Sequence, residues 1–423
     1  MSQTARLLRE LIALPSVNPA FVARGGTPAV ATLSRDKSAR QALSLHPHAG
    51  EQRVADFIAV TAARSGLDIE FQEALPGRSN VLARLQPSGK IRRRILLAPH
   101  LDTVSVANES QFSPRVKAGR VYGRGACDTK GSAAAMLVAL CELARSKERP
   151  RETEIVFAGL VDEENAQAGS RALVAGKFGG VARSSAFRRT PDAVERTGRL
   201  KAGLQTVDLA IVGEPTQLQV VTAHKGSVWL ELETRGKAAH GSTPQLGRNA
   251  VEEMARIVDL LQTDYAARLK RQRHPLLGHP TVNVGVICGG SQPNIVPDHC
   301  TITLDRRTLP GETETDVRRE IIRELRSRNL RAVIKNGNRI PCVPFETDAT
   351  LPLVRDFIRA MGQRKPLGVH FFCDAAVLSA GGIPSVVFGP GNIAYAHTAD
   401  EWISLLQLER AKDLLVRFLK SQP

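Results

Sequence analysis

Ile95-Leu96-Leu97-Ala98-Pro99-His100-Leu101-Asp102-Thr103-Val104 is the stretch on which the fold of this chain turns. A basic run, Arg92-Arg93-Arg94, gives way to apolar residues that stop at a histidine, the pattern of a buried parallel strand ending at a polar site. Open α/β sheets place their ligands beyond such strand ends. Asp102, two residues on, can accept the imidazole N–H that faces away from a metal and so fix the tautomer of His100. A lone His-x-Asp pair is more often a hydrogen-bonded loop histidine than a ligand; what lifts it is that three more apolar runs end on polar residues of the same kind.

The second run, residues 154–160, leads into Asp162-Glu163-Glu164. Adjacent carboxylates repel one another, so a positive partner is expected beside them. Neighbouring glutamates at a strand end can also point differently, one toward a metal and one toward a water. The third run, 207–212, ends in Gly213-Glu214-Pro215-Thr216, and the fourth, 385–388, runs through Gly389-Pro390-Gly391 to Ala396-His397-Thr398. Between the first two lies Val121-Tyr122-Gly123-Arg124-Gly125-Ala126-Cys127-Asp128-Thr129-Lys130-Gly131, followed by a small, apolar helical run over 132–144. Its glycines do not have Walker A spacing, and no dinucleotide-binding acidic residue follows. They would let the backbone fold tightly enough to aim Asp128 near His100, unless Asp128 simply caps the helix. Together His100, Asp128, Glu163, Glu164, Glu214 and His397 supply two histidines and several carboxylates without cysteine, a donor set suited to a pair of Zn²⁺ or similar ions. Two such ions about 3.5–4 Å apart can share a water, bring its pKa toward roughly 7 and polarise a carbonyl, which is chemistry made for hydrolysis.

A chain of 423 residues is too long for one ordinary core, so two domains are expected, one of them possible as an insertion in the other. No apolar stretch is long enough to span a bilayer and the first residues lack a signal-peptide core, which predicts a cytoplasmic protein with no membrane partner. The six cysteines form no C-x-x-C pair, so neither a zinc knuckle nor a disulfide framework is indicated. A net charge of +16 attracts anions, yet three Tyr and two Trp leave few platforms for stacking bases, and the basic residues are dispersed. Acidic small molecules are therefore the expected partners rather than nucleic acid.

Helical spacing is predicted over 4–14 and 51–65, the second stopped by Gly66, with strands at 67–71 and 80–85. Residues 20–50 and 177–206 are polar, basic excursions without periodicity. From about 220 the character changes: alternating strands at 227–234, 281–288, 300–306 and 331–334, with helices at 249–263 and 312–328, make a compact α+β unit with an antiparallel sheet. After 341 the first style returns, with helices at 351–361, 374–379 and 404–419. The expected fold is α/β, a mixed but mainly parallel sheet flanked by helices, formed by 1–222 and 341–423 and interrupted by an inserted domain at 223–340.

These motifs, taken in order, resemble the M20 family of metallohydrolases, the group that holds acetylornithine deacetylase, succinyl-diaminopimelate desuccinylase, carboxypeptidase G2 and aminoacylase-1. The resemblance rests on Pro99-His100-Leu101-Asp102-Thr103-Val104, the stretch from Gly123 to Gly131, Asp162-Glu163-Glu164, Val212-Gly213-Glu214-Pro215-Thr216, and Gly389-Pro390-Gly391 through Ala396-His397-Thr398. It implies a di-zinc exopeptidase-like catalytic domain in which Asp128 bridges two divalent ions, zinc or else cobalt or manganese. His100 and Glu214 would complete one metal site, Glu164 and His397 the other. Glu163 would be the general base, Asp102 would orient His100, and the Asp128–Thr129 peptide would be cis. The insert resembles the family's lid and dimerisation domain, which implies a homodimer through 223–340. There His240, in Gly236-Lys237-Ala238-Ala239-His240-Gly241-Ser242, would reach a partner subunit's site and stabilise an oxyanion. Asn294 and Arg307 would hold the substrate carboxylate, and Gly389 and Gly391 would let backbone N–H groups approach the substrate. The implied reaction is hydrolysis of the amide of an N-acyl amino acid, as in acetylornithine deacetylase and the desuccinylase; a carboxypeptidase or dipeptidase acting on short peptides with a free carboxylate is the alternative. The two excursions are longer than usual for the family and would reshape the pocket mouth.

Overall fold

The structure is a computed structural model that describes residues 1–22, 49–176, 178, 206–337 and 342–423. Most of both basic excursions lies outside the described residues. The chain forms two compact units, one comprising Met1–Thr222, Thr347–Leu367 and Cys373–Pro423, the other Ala223–Glu346 and Gly368–Phe372.

The first unit is built on a sheet whose six principal strands are β1 (Asp68–Leu75), β2 (Arg78–Leu85), β3 (Arg93–Pro99), β4 (Thr153–Gly159), β5 (Leu209–Gly213) and β6 (Ser385–Val387), in the spatial order β1-β2-β4-β3-β5-β6. Strands β4, β3, β5 and β6 are mutually parallel, whereas β1 and β2 form an antiparallel hairpin whose second strand pairs antiparallel with β4. Strands β4 and β5 are buried along their whole length, which is why their sequences are continuous apolar runs rather than alternating ones. Parallel strands need crossover connections, so four carboxyl ends finish on one edge of the sheet, and each of the four motif-bearing loops starts there.

One face of that sheet is covered by helix α1 (Gln3–Ile12), helix α2 (Gln52–Ala63) and the long helix α3 (Lys130–Arg145), with the closing helix Leu405–Lys420 packed on α3. Helix α3 is buried on nearly every side, and its alanines, Ala133, Ala134, Ala135 and Ala139, are small enough for two helices and the sheet to approach it together. Phe357 joins the far side of this core, edge-on to Phe388 and Phe418 at centroid distances of 5.5 and 4.8 Å. A small antiparallel sheet of Arg115–Lys117, Arg120–Tyr122 and Trp402–Ser404, which the sequence did not announce, ties the loop before Asp128 to the segment after His397.

The second unit carries a four-stranded antiparallel sheet ordered Thr281–Gly289, His299–Thr308, Gly226–Arg235, Val333–Asn336. Its helix Glu314–Ser327 opens with a capping box between Thr313 and Asp316. The helix expected to stop at 263 instead runs from Ala250 through a π turn, Leu261–Tyr265, to Leu269. The extra residue of the π turn brings both Leu261 and Tyr265 into the core, where the Tyr265 hydroxyl donates to Glu320 and accepts from Arg306.

Candidate functional site

Strand β3 delivers His100 to the sheet edge fully enclosed, bridged to Leu160 just past β4. Its Nδ1 lies 3.0 Å from the Asp102 carbonyl oxygen, so Nδ1–H donates there and Nε2 is turned inward. That Nε2 is 3.0 Å from Asp128 Oδ1 and 3.9 Å from Glu214 Oε1. The other Asp128 oxygen, Oδ2, lies 3.2 Å from His397 Nε2, which is also 3.2 Å from Glu164 Oε1. Each oxygen of one carboxylate therefore faces a different histidine, with a further glutamate beside each. The ligand atoms of His100, Asp128 and Glu164 all lie within 4.8 Å of one another.

Asp128 is not a helix cap: the cap position of α3 is Thr129, and the Asp128–Thr129 peptide is cis. The loop before it turns through Gly125 at a φ of +79°, where a Cβ would come within 2.9 Å of the Lys130 side chain and 3.0 Å of Thr103. Glu401 grips this loop. Its Oε1 accepts the N–H groups of Cys127 and Asp128 at 2.8 and 3.0 Å, and its Oε2 accepts Gly125 N–H at 3.0 Å and Arg124 Nη1 at 2.6 Å. Glu401 was missed from sequence, although it sits four residues after His397. The available signal was a glutamate embedded between short apolar and aromatic residues that has no reason to be buried unless several donors meet it.

Asp102 does more than orient a ring. Its carboxylate, 3.4 Å from His100 Nδ1, accepts Glu163 N–H on Oδ1 and Glu164 N–H on Oδ2, both at 3.1 Å, and Asn18 Nδ2 at 2.7 Å. One buried side chain thereby sets the positions of a histidine and of the glutamate pair. Asn18 also donates to Asp162 at 3.0 Å, and Arg78 pairs with both Asp162 and Glu51. Asp162 and His397 occupy left-handed backbone at φ of 68° and 61°, sparsely populated for non-glycine residues and held here by these contacts.

The electrostatics ask for cations. Asp128, Glu163, Glu164, Glu214 and Asp374 converge on two histidines. Burial drives Glu163 and Glu214 well above the usual carboxylate range, reinforced by the carboxylates around them. Burial would raise Asp128 too, but hydrogen bonds from both histidines hold it well below that range. The Asp128 and Glu164 carboxylates push His397 up to about 10. Asp374, 1% exposed, accepts the Ser170 hydroxyl on Oδ1 while Oδ2 is buried without a partner among the described residues. Two inward imidazole nitrogens, a carboxylate whose two oxygens diverge and an excess of buried negative charge fit a pair of divalent cations better than they fit a dry protein interior. The residues able to hold them are His100, Asp128, Glu164, Glu214 and His397.

The remaining sequence candidates fall elsewhere. His240 and Asn294 neighbour each other in the second unit, where Gly241 N–H donates to the Asn294 carbonyl at 2.7 Å and both side chains are exposed. Arg307 lies in the same unit and donates through Nε to Asp305 at 2.9 Å. Gly389 and Gly391 do not offer their N–H groups outward: Gly389 donates to Thr216 Oγ1 at 3.1 Å and Gly391 to Gln407 at 2.9 Å. The physical need for glycine at 389 is space, since a Cβ there would stand 2.4 Å from Ser132 Oγ and 2.5 Å from the Glu214 carbonyl.

Lys130 gives the loop a measurable signature. It is 1% exposed, and its Nζ donates to the Leu11 and Leu14 carbonyls at 2.9 and 2.7 Å; burial lowers it to about 7, against a pull upward from Glu401. In the unfolded chain it titrates near 10.5. Below about 7 both states carry the proton, and between about 7 and 10.5 only the unfolded state does, so this group makes stability rise with pH across that window. Lys130→Met should remove that gradient, read as the change in thermal midpoint from pH 7 to pH 10 compared with the wild type.

Comparison with known proteins identifies the chain's relatives. Acetylornithine deacetylase of Myxococcus xanthus is 29% identical over 377 residues, 86% of this chain and 90% of that protein. The crystal structure of an aminopeptidase from Bacillus cereus matches with a TM-score of 0.69 at 19% identity, covering 99% of this chain and 97% of that one. A dinuclear metal-binding peptidase of the M20 family from Bacillus subtilis matches with a TM-score of 0.63 at 13% identity over 99% of this chain and 96% of its own. The sequence profile of Peptidase family M20/M25/M40 matches residues 96–421, a span that takes in every strand-end motif, and the chain belongs to that family of metal-binding hydrolases.

Proposed function

We propose that this protein hydrolyses the amide of an N-acyl amino acid, using a pair of divalent cations, zinc in the first instance, held by His100, Asp128, Glu164, Glu214 and His397. The observation that carries the reading is the split Asp128 carboxylate, with one oxygen 3.0 Å from His100 Nε2 and the other 3.2 Å from His397 Nε2. When bound, the cations supply a water of lowered pKa and a Lewis acid for the amide carbonyl. Glu163 takes the proton of the attacking water on its carboxylate and hands it to the departing amine nitrogen, while Asp102 holds the Glu163 and Glu164 backbones in place. His240 donates to the developing oxyanion in a partner subunit's site, and Asn294 and Arg307 hold the carboxylate next to the scissile bond, with residues 223–340 as the lid and dimer-forming domain. Zinc, the dimer and a cytoplasmic location belong to this one reading.

Cleavage of peptides with a free carboxylate is the second reading, favoured by the aminopeptidase and dinuclear peptidase folds that the chain matches. A panel of N-acetyl and N-succinyl amino acids set against dipeptides, with metal content measured on the same preparation, decides between them. Turnover of the acylated amino acids with two bound metals per chain is expected. Turnover of dipeptides alone would replace the first reading with the second, and a metal-free yet active preparation would remove both.

A further inference from the structure

The two histidines of the centre are not supported alike. His100 is enclosed, and its Nδ1–H donates to the Asp102 carbonyl at 3.0 Å, which fixes the ring whatever its Nε2 faces. His397 is half exposed, lies beyond the end of β6, and its Nδ1 makes no hydrogen bond among the described residues. Its contacts with Asp128 and Glu164 run through Nε2, the atom that has to be given to a cation, so they do not hold the ring once a cation is bound. Its orientation therefore has to come from the loop that carries it, at a left-handed φ of 61°.

That loop is tied down on each side of the histidine, both times to the segment that leads to Asp128. Before it, the short turn Ile393–Tyr395 is capped by Asn392, whose side chain accepts Ala394 N–H at 3.0 Å, and lays the Tyr395 ring against Trp402 at a centroid distance of 4.3 Å. Trp402 is itself set by strand pairing opposite Tyr122, with the two rings 6.4 Å apart and the Arg120 guanidinium 3.9 Å from the indole centroid. After it, Gln111 donates through Nε2 to the Thr398 and Ala399 carbonyls at 3.3 and 3.0 Å, while its own carbonyl accepts Arg124 N–H at 2.8 Å. The Thr398 hydroxyl closes the loop on itself by donating to the Tyr395 carbonyl at 2.8 Å. Tyr395 is 37% exposed and its hydroxyl makes no hydrogen bond among the described residues, so the residue contributes the face of its ring.

We propose that Tyr395, packed on Trp402, is a positioning residue for His397: it registers the imidazole against Asp128 and so governs the cation shared by His397, Asp128 and Glu164, and not the one at His100 and Glu214. Pairing of 402–404 with 120–122 puts the Trp402 strand and the Asp128 loop in one frame, and the indole gives Tyr395 a single seat in it. A loop without that seat has to be ordered when the cation binds, and the cost falls on the affinity. This proposal rests on the two-cation reading above.

The test is stepwise zinc binding to Tyr395→Ala, measured by competition with a chromogenic chelator, so that no turnover is needed. One binding constant should stay at the wild-type value and the other should weaken by about tenfold, the lower end of the cost of removing the partner that orients a metal-binding histidine. Tyr395→Phe, which keeps the ring, should bind both ions as the wild type does. In a His397→Gln background, adding Tyr395→Ala should change nothing further, because the residue through which it acts is gone. The proposal is overturned if Tyr395→Ala binds both ions as tightly as the wild type, or if both constants weaken equally. It is also overturned if Tyr395→Phe is as impaired as Tyr395→Ala, or if the double variant binds more weakly than His397→Gln alone. Should Tyr395→Ala fail to fold, Tyr395→Leu takes its place with the same expected outcomes. A wild-type protein that binds fewer than two ions takes down the two-cation reading and this proposal with it, whereas two ions and an unaffected Tyr395→Ala overturn the proposal alone.

Discussion

Glu163→Gln enzyme is expected to keep two divalent ions per chain and to lose hydrolysis by about a thousandfold or more in kcat, the range over which a positioned general base contributes. Glutamine has the shape of glutamate and cannot accept the proton. The Glu163 backbone is pinned by Asp102, and burial raises its carboxyl above the usual carboxylate range. Elemental analysis beside steady-state rates separates the possibilities: activity within tenfold of wild type would eliminate Glu163 as the base, and loss of one ion would make it a ligand.

Asp128→Asn should abolish both metal sites at once. Asparagine offers one acceptor oxygen and one N–H donor where aspartate offers two acceptors, so at least one of the contacts at 3.0 and 3.2 Å becomes a donor facing an imidazole nitrogen. The charge between the two histidines also disappears. After dialysis against metal-free buffer and re-addition of stoichiometric zinc, the variant should hold fewer than one ion per chain and show background activity, with far-ultraviolet circular dichroism unchanged. Full occupancy with two ions would remove Asp128 from its bridging place.

Much of this was legible because buried parallel strands write themselves as continuous apolar runs, and the residue that ends each run is set at the sheet edge by covalent continuity. His100, Glu163, Glu164 and Glu214 could be located this way without knowing the strand order. His397 was harder: β6 stops at Val387, and the histidine arrives ten residues later through a turn with left-handed backbone, so it could be gathered only from the loop that adjoins the strand and not from the strand end itself. What periodicity could not reveal were contacts between side chains distant in the chain. Asn18, standing among prolines, gives no hint that it bridges Asp102 and Asp162, and Gly389 looks the same whether its N–H serves a ligand or its missing Cβ makes room for Glu214. The antiparallel pairing of β2 with β4 was equally invisible, since strand order depends on which surfaces meet rather than on either sequence alone.

The grip of Glu401 on residues 124–128 has a temporal consequence. A ribosome releases the chain from its amino end, and domains fold as their segments emerge. His100, Asp128, Glu164 and Glu214 are all synthesised long before His397 and Glu401, which belong to the closing stretch of the chain. Until that stretch leaves the exit tunnel, the aspartate loop lacks the acceptor for its N–H groups and the centre lacks its second imidazole. A chain that has emerged only as far as Glu214 therefore has neither the acceptor that holds residues 124–128 nor the imidazole that faces Asp128 Oδ2.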